Sequence, residues 1–439
     1  MKKIYILIFY SISIFILILV NTIDIYSEPI ILKYADKLVG ANDESSNSRT
    51  LIGNVQLQQG NVNVNCESAT QYILLNKYRL TDNVVITQNN LILKSQHIIY
   101  DGNSYLATAV SGVTIDDGNT HLKANKGDYS TKTSIANFYD NVVLQDDSVI
   151  IYCNYINHNR KTNDSKAINN VLIKGKNTNV FLFGDTVVNI SNTNYSLVSG
   201  NPFLYRIDTL TQNIQLDTNG NSCENYTFDT LSIKSDTMEA FRSNTNEYYH
   251  FFRNVELIKN NISAKANNVY FYKHKQYFVL YDEPVIWYGN SQLHADSIIV
   301  YFDDNDIKRI QAVNNAIIVI ENDTNNYNRK DQLYGNEINI FFETDSLKII
   351  KSNGNAKSVY FMLNNNEADG LVENNAEKIK ITISSTGIDD IELVNQIQGY
   401  YHPEQFINGV EKNYYLEEYK FSDNKPIRTE FNILQYIKQ

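Results

Sequence analysis

Histidines, cysteines and paired acidic residues are the side chains of this chain that could catalyse a reaction or bind a metal. The seven histidines are scattered, without an H-E-x-x-H motif or a Cys/His cluster at zinc-like spacing. The acidic pairs Asp116-Asp117 and Asp146-Asp147 lie at turn-like positions, where carboxylates are usually solvated. No G-x-S-x-G motif or phosphate-binding loop occurs. We therefore expect a protein that is not an enzyme, with no metal and no cofactor.

The elements around these residues follow a strict repeat. A valine recurs every 29 residues with no insertion or deletion, at Val55, Val84, Val113, Val142 and Val171. A fixed period of this size indicates stacked copies of one supersecondary unit. Apolar residues at fixed offsets alternate with polar ones, which indicates strands with one apolar face. We expect three short strands per repeat, separated by polar turns, and very little helix.

The repeat also divides the chain. Its register is lost from about residue 178 to 224 and returns more loosely at 253–257 and 283–287, where Val255 and Val285 occupy the valine position. The domains predicted from this pattern are 1–27, a signal peptide or N-terminal anchor; 28–200, the first repeat block; 201–225, an irregular connection; 226–400, the second block; and 401–439, an irregular C-terminal segment.

Cysteine positions follow the repeat. Cys66 and Cys153 each come 11 residues after a repeat valine, and Ser95 and Ala124 occupy the positions between them. Strands stack at roughly 4.8 Å, so equivalent positions three repeats apart lie too far from each other for a disulfide. We interpret Cys66 and Cys153 as small residues of an interior column, and we leave Cys223 unassigned.

The N-terminus and the net charge limit where the protein acts. Lys2 and Lys3 precede an apolar run from Ile4 to Val20, the pattern of an export signal, whether cleaved or retained as an anchor. The net charge is −11, and no basic run follows the first three residues. Nucleic acid as a partner is therefore not expected.

Two architectures fit the repeat. One is an all-β, elongated jelly roll of stacked short antiparallel strands in two consecutive blocks. The alternative is a right-handed β-helix, in which each repeat is one coil of parallel sheets. The spacing alone does not separate them.

Several segments resemble the OstA/LptA family of organic-solvent-tolerance and lipopolysaccharide-transport proteins, especially its longer OstA-like members. They are Ile31 to Leu38, Gly53 to Gly60, Asp282 to Trp287, Gly335 to Phe342 and Gly354 to Phe361. The resemblance implies a periplasmic β-jelly roll that carries lipopolysaccharide towards the outer membrane. It also implies partners: lipopolysaccharide through its lipid A acyl chains, and other jelly-roll transport components through edge-strand pairing. Homo-oligomers and association with the inner or outer membrane stay open.

An apolar column repeated at every layer can form a hydrophobic wall for acyl chains. A buried methylene is stabilised by about 0.8 kcal/mol, so such a wall holds a lipid without any chemical reaction. The residues predicted to line this lipid-binding groove are Val55, Leu57, Val64, Val84, Ile86, Leu93, Val113, Ile115, Leu122, Val142, Leu144 and Ile151. A surface β-solenoid adhesin or structural protein is the alternative function, and a β-helix polysaccharide lyase is a further one.

Overall fold

The computed structural model describes residues 28–43, 46–216, 222–303, 306–321, 323, 326–343, 346–364, 367–384 and 387–428. The predicted signal peptide or anchor, 1–27, lies outside the described residues. Within them, no helix is long and apolar enough to cross a membrane.

Nearly all described residues belong to β-strands. The strands are β1 (Ile31–Tyr34), β2 (Lys37–Asp43), β3 (Ser46–Gln59), β4 (Val62–Tyr72), β5 (Lys77–Gln88), β6 (Leu91–Asp101), β7 (Leu106–Ala109), β8 (Val113–Asp116), β9 (His121–Ala124), β10 (Lys126–Ser130), β11 (Ile135–Gln145), β12 (Val149–Asn159), β13 (Asp164–Gly175), β14 (Val180–Ile190), β15 (Tyr195–Ser199), β16 (Phe203–Leu216), β17 (Ser222–Lys234), β18 (Thr237–Phe241), β19 (Tyr248–Lys259), β20 (Ile262–Tyr272), β21 (Tyr277–Tyr281), β22 (Val285–Tyr288), β23 (Ser291–His294), β24 (Ser297–Asp303), β25 (Asp306–Glu321), β26 (Lys330–Glu343), β27 (Ser346–Asn364), β28 (Glu367–Ser384), β29 (Gly387–Val394) and β30 (Gln398–His402). Short 3-10 helices occupy Ile73–Leu75, Ser191–Thr193, Lys273–Lys275, Glu404–Phe406 and Glu411–Tyr414.

Neighbouring strands pair antiparallel, from β3 with β4 to β27 with β28. A right-handed β-helix would require parallel pairs between successive coils. For the described residues, the β-helix alternative is therefore wrong, and the all-β jelly roll predicted from the sequence is confirmed.

A corner bends each long strand two residues before the repeat valine. Asp82 and Asn83 have positive φ angles of 63° and 52°, and the pairing of β5 with β6 skips from Thr81 to Val84. Glycine and asparagine tolerate this left-handed conformation better than other residues. The same two-residue bulge precedes Val55, Val171 and Val255.

The bulge divides each strand between two halves of a folded sheet. In β3 to β6, the valine half comprises residues 55–66 and 84–95, and the opposite half comprises 47–52, 68–81 and 97–101. Each repeat consequently contains two long bent strands, whereas the sequence predicted three short ones. The polar lead-in to each valine is a bulge within a strand and not a turn between strands.

The chain forms two compact units that divide between Tyr139 and Asp140. Residues 201–225, expected from the sequence to be an irregular connection, lie largely in β16 and β17, which pair from Phe203–Lys234 to Leu216–Ser222. The division into blocks 28–200 and 226–400 stays a prediction.

One repeat in the second unit is displaced by a residue. Ile286 pairs with Ala264 and Leu293 in the interior column, whereas Val285 pairs with Lys265 and His294 on the outer face. Pro284 therefore occupies the place of the repeat valine. Since side chains alternate between faces along a strand, a slip of one residue moves each of them to the other face. The assignment of Val285 to the valine position was wrong.

The C-terminal strap, residues 403–428, covers the outer face of the valine half in the second unit. Ile407 is fully buried there, and Leu416, Tyr419 and Phe421 are partly buried. The sheet residues beneath the strap are apolar: Ile317, Val319, Tyr334, Val359, Phe361 and Leu371. Without this cover, the strap side of the sheet would expose a continuous apolar patch.

Candidate functional site

The interior of the first unit contains a continuous apolar column along the valine half. Its members oppose each other directly on successive strands β3, β4, β5, β6, β8 and β9: Leu57, Val64, Ile86, Leu93, Ile115 and Leu122. Strands are spaced by roughly 4.8 Å, so the column extends about 24 Å. Nothing polar interrupts it over these six strands.

A second column lies nearer the corner and uses the repeat valines. Val55 opposes Cys66, and Ser95 lies between Val84 and Val113. Cys66 and Cys153 are both buried free thiols. Burial raises the pKa of each thiol to about 11, which keeps both neutral and unreactive at physiological pH. The Cys223 side chain lies outside the described part of the structure.

The opposite half supplies the facing wall of the first unit. Its buried column runs across strands β3 to β11: Leu51, Ala69, Leu80, Ile98, Ala109, Gly127 and Phe138. Gly127 is required here, because a Cβ atom at this position would meet the Phe138 ring at 2.4 Å. The two walls together form an apolar interior between the sheet halves.

The predicted groove residues lie in this interior and its counterpart in the second unit. Val55, Val84 and Ile86 are fully buried, and the exposed fraction of the others reaches at most 7%, except at half-buried Ile151. Nine of the twelve belong to the first unit, and Val142, Leu144 and Ile151 belong to the second. In this structure the predicted residues therefore pack against other side chains, and their role as a lipid wall stays a prediction.

The second unit contains a longer column of the same kind. Its members oppose each other across eleven strands: Ile151, Ile173, Leu182, Leu204, Ile233, Leu257, Ala264, Ile286, Leu293, Ile318 and Leu333. The next two positions are polar, Ser358 and Asn374. The apolar column of this unit consequently ends at β26.

Two glutamines close the side of the first unit that lies away from the corner. At the tip of the β3–β4 hairpin, Gln59 Nε2 donates to the Gly102 carbonyl at 3.2 Å, and Gln59 Oε1 accepts a hydrogen bond from the Tyr100 hydroxyl. One repeat later, Gln88 Nε2 donates to the Thr131 carbonyl at 3.1 Å, and Gln88 Oε1 accepts from Tyr129 at 2.9 Å. We call these pairs the latches, and the line along which the hairpin tips of the two sheet halves meet is the seam.

Both latches are shielded from water. Gln59 is 3% exposed and Gln88 is 9% exposed. Burial raises the pKa of Tyr100 to about 12, so its hydroxyl stays protonated and available as a donor. The chain itself adds to the first latch, because Gln59 Nε2 also donates to the Glu28 carbonyl at 2.6 Å.

The second unit closes its tips differently. Lys259, 2% exposed, stands where Gln59 stands in the first block and forms an ion pair with Asp208 at 2.9 Å. At the next tip, the rings of Tyr288 and Phe342 meet edge to face at 5.6 Å. Among the described residues, no group of three or more acidic, histidine or cysteine side chains could hold a metal ion.

Sequence reasoning missed the latches, although a signal was present. Gln59 and Gln88 are 29 residues apart, as are Tyr100 and Tyr129. A polar residue conserving the repeat period at an otherwise variable turn indicates a structural partner on another strand. The sequence analysis considered these glutamines only as turn residues.

The fold and its interior define a class: a jelly roll of antiparallel strands with an apolar space between its sheet halves. Two family models match this chain. Residues 27–141 match the OstA-like protein family, and residues 226–306 match the family of the LptA/(LptD N-terminal domain) LPS transport protein. Over these two segments, the chain is an OstA-like protein of the lipopolysaccharide-transport family.

Solved structures include one with weak similarity. LptH from Pseudomonas aeruginosa, described as the LptA-homologous periplasmic component of the conserved lipopolysaccharide transport device, has 15% identity, covering 32% of this chain and 95% of LptH, with a TM-score of 0.24. No curated protein is significantly similar in sequence.

Proposed function

We propose that the chain is a non-enzymatic periplasmic protein of lipopolysaccharide transport, which shelters acyl chains between its two sheet halves. The column from Leu57 to Leu122 is the observation on which this proposal rests most. The two family matches support the same assignment, since one of the families is described by LPS transport.

The column suits an acyl chain for a physical reason. Its side chains are all aliphatic, and successive strands present nearly the same surface about every 4.8 Å. A lipid chain can therefore move from one layer to the next with little change in free energy. Each methylene kept from water contributes about 0.8 kcal/mol, so binding needs no polar contact in the interior.

The strands at both ends of the stack suit partners that add a further strand. Among the described residues, β1 and β2 pair with β3 alone, and β29 and β30 pair with β28 alone. These edges contain exposed apolar residues, including Leu38 at 51% and Tyr401 at 56%. Unpaired backbone groups of an edge strand bind another strand, so we propose other jelly-roll transport proteins, or further copies of this chain, as partners.

Lipopolysaccharide with a photoreactive diazirine in one acyl chain tests the function on the unmodified protein. Illumination followed by peptide mass spectrometry should place adducts on inward-facing Ile86 and Leu93. The adjacent outward-facing Val85 and Lys94 are the internal control and should stay unlabelled. Equal labelling of both faces, or none in the interior, would reject a sheltered acyl chain. A diazirine on the saccharide should leave the interior unlabelled.

A further inference from the structure

The seam is the side of the first unit that can open. On the corner side, β3, β4, β5 and β6 each run without a break from one sheet half to the other, so separating the halves there would break strands. On the tip side, the described cross-seam hydrogen bonds start from Gln59 and Gln88. Opening the seam breaks side-chain hydrogen bonds and leaves the strand pairing intact.

A lipid cannot reach the interior column in the closed state. Val55, Leu80 and Ile86 are fully buried, which leaves no open space beside them for a chain of methylenes. Some part of the wall must therefore move before an acyl chain binds. The corner side is continuous, and the tip side is held by the latches.

We propose that the seam is the lateral portal for the acyl chain and that the Gln59–Tyr100 and Gln88–Tyr129 latches control its opening. This inference rests on the proposed function. The latches recur with the period of the apolar column, so every opened latch gives access to one further layer of that column. Their hydrogen bonds exchange with water when the seam opens, which makes opening reversible.

The N-terminal residues of the described chain belong to the first latch. The Glu28 backbone N–H donates to the Tyr105 hydroxyl at 2.6 Å, and its carbonyl accepts from Gln59. At the first layer the seam is thus held by three chain segments, whereas at Gln88 only the two hairpin tips and Asn61 contribute. The portal should accordingly open more readily at Gln88 than at Gln59.

The test uses the full-length protein and measures the rate at which fluorescent lipopolysaccharide binds. Gln88→Leu removes the hydrogen bonds of the second latch while keeping a side chain of similar size. Binding should become about tenfold faster, because the loss of two hydrogen bonds favours the open seam. The matched control is Gln58→Leu on the same tip, where the exposed amide donates only to the nearby Gly60 carbonyl at 3.0 Å. That control should bind at the wild-type rate.

A covalent closure gives the opposite result. Asn61→Cys and Asn103→Cys, on the two sides of the seam, are joined by a short reducible bismaleimide in a background with the native cysteines replaced by serine. The linked protein should bind at most a tenth as fast as the wild type, and reduction of the linker should restore the rate. Thermal melting checks that each variant is folded.

The outcomes separate the two proposals. If the linked protein and the Gln88→Leu variant bind lipopolysaccharide as fast as the wild type, the latches are structural and the portal inference is wrong, while the proposed function stands. If no form of the protein, the wild type included, binds lipopolysaccharide, both proposals fail.

Discussion

Gln292 holds Ser422 by two hydrogen bonds in opposite directions. Its Nε2 donates to the Ser422 carbonyl at 2.9 Å, and its Oε1 accepts from the Ser422 backbone N–H at 2.9 Å. The side-chain amide thereby takes the place of a paired strand. Gln332 makes a similar contact, accepting the Leu416 N–H at 2.8 Å. The strap is attached to the sheet by these amides as well as by its apolar residues.

Removal of the Gln292 amide should loosen the strap. Gln292→Ala leaves both Ser422 backbone groups without this partner, and two hydrogen bonds contribute roughly 1 kcal/mol each. Trypsin should then cleave after exposed Lys425 about ten to thirty times faster than in the wild type. Gln58→Ala, which removes an exposed amide in the first unit, is the control and should not change this rate. An unchanged rate for Gln292→Ala would mean that apolar packing alone retains the strap.

His294 should make the stability of the second unit depend on pH. Burial, with a smaller contribution from nearby Lys420, lowers the pKa of His294 to about 4, compared with 6.5 when unfolded. The unfolded chain therefore binds a proton more readily, and stability is lost as the pH falls from 6.5 towards 4, by roughly 3 kcal/mol in total. The melting temperature of the wild type should drop more between pH 7 and pH 5 than that of His294→Gln. Parallel drops for the two proteins would contradict this assignment.

Leu93 and Ile92 are adjacent in sequence and lie on opposite faces of β6. Leu93 is 2% exposed in the interior column, whereas Ile92 is 40% exposed. Leu93→Ala should lower the free energy of unfolding by about 2–5 kcal/mol through lost burial and the resulting cavity. Ile92→Ala should lower it by less than about 1 kcal/mol. Thermal denaturation of the two variants measures the difference, and equal losses would show that the assigned faces are wrong.

The corner at Asn83 should tolerate glycine and reject β-branched residues. Its φ of 52° lies in the left-handed region, which costs a residue with a branched Cβ roughly 1–2 kcal/mol. Asn83→Val should therefore lower the melting temperature, and Asn83→Gly should leave it nearly unchanged, as Gly112 occupies the equivalent position one repeat later. A stable Asn83→Val variant would indicate that the corner relaxes to another backbone conformation.

The interior columns could be predicted because period-two alternation determines the face of each side chain and the constant repeat length determines its layer. Both conditions hold from Val55 to Val142, where no residue is inserted. They fail at Pro284, where one extra residue places Ile286 in the column and moves Val285 to the outer face. A local sequence pattern does not reveal such a slip, because Val285 and Ile286 are equally apolar.

The strap and the latches depend on contacts between residues distant in the sequence. Gln292 and Ser422 are 130 positions apart, and the strap itself has no repeat from which its partners could be inferred. Gln59 and Tyr100 are 41 positions apart, on different sheet halves. The repeat fixes the spacing of the latches, but only the folded sheet reveals that the two tips meet.

Site-specific photo-crosslinking in living cells tests the central claim most directly. A photoreactive amino acid replaces inward-facing Val113 in one variant and the adjacent Thr114, which faces outward and is half-buried, in another. The account predicts a lipopolysaccharide adduct from position 113 and little or none from position 114. Adducts from position 114 but not from 113, or from neither in cells that contain the folded protein, would contradict an interior that shelters lipid.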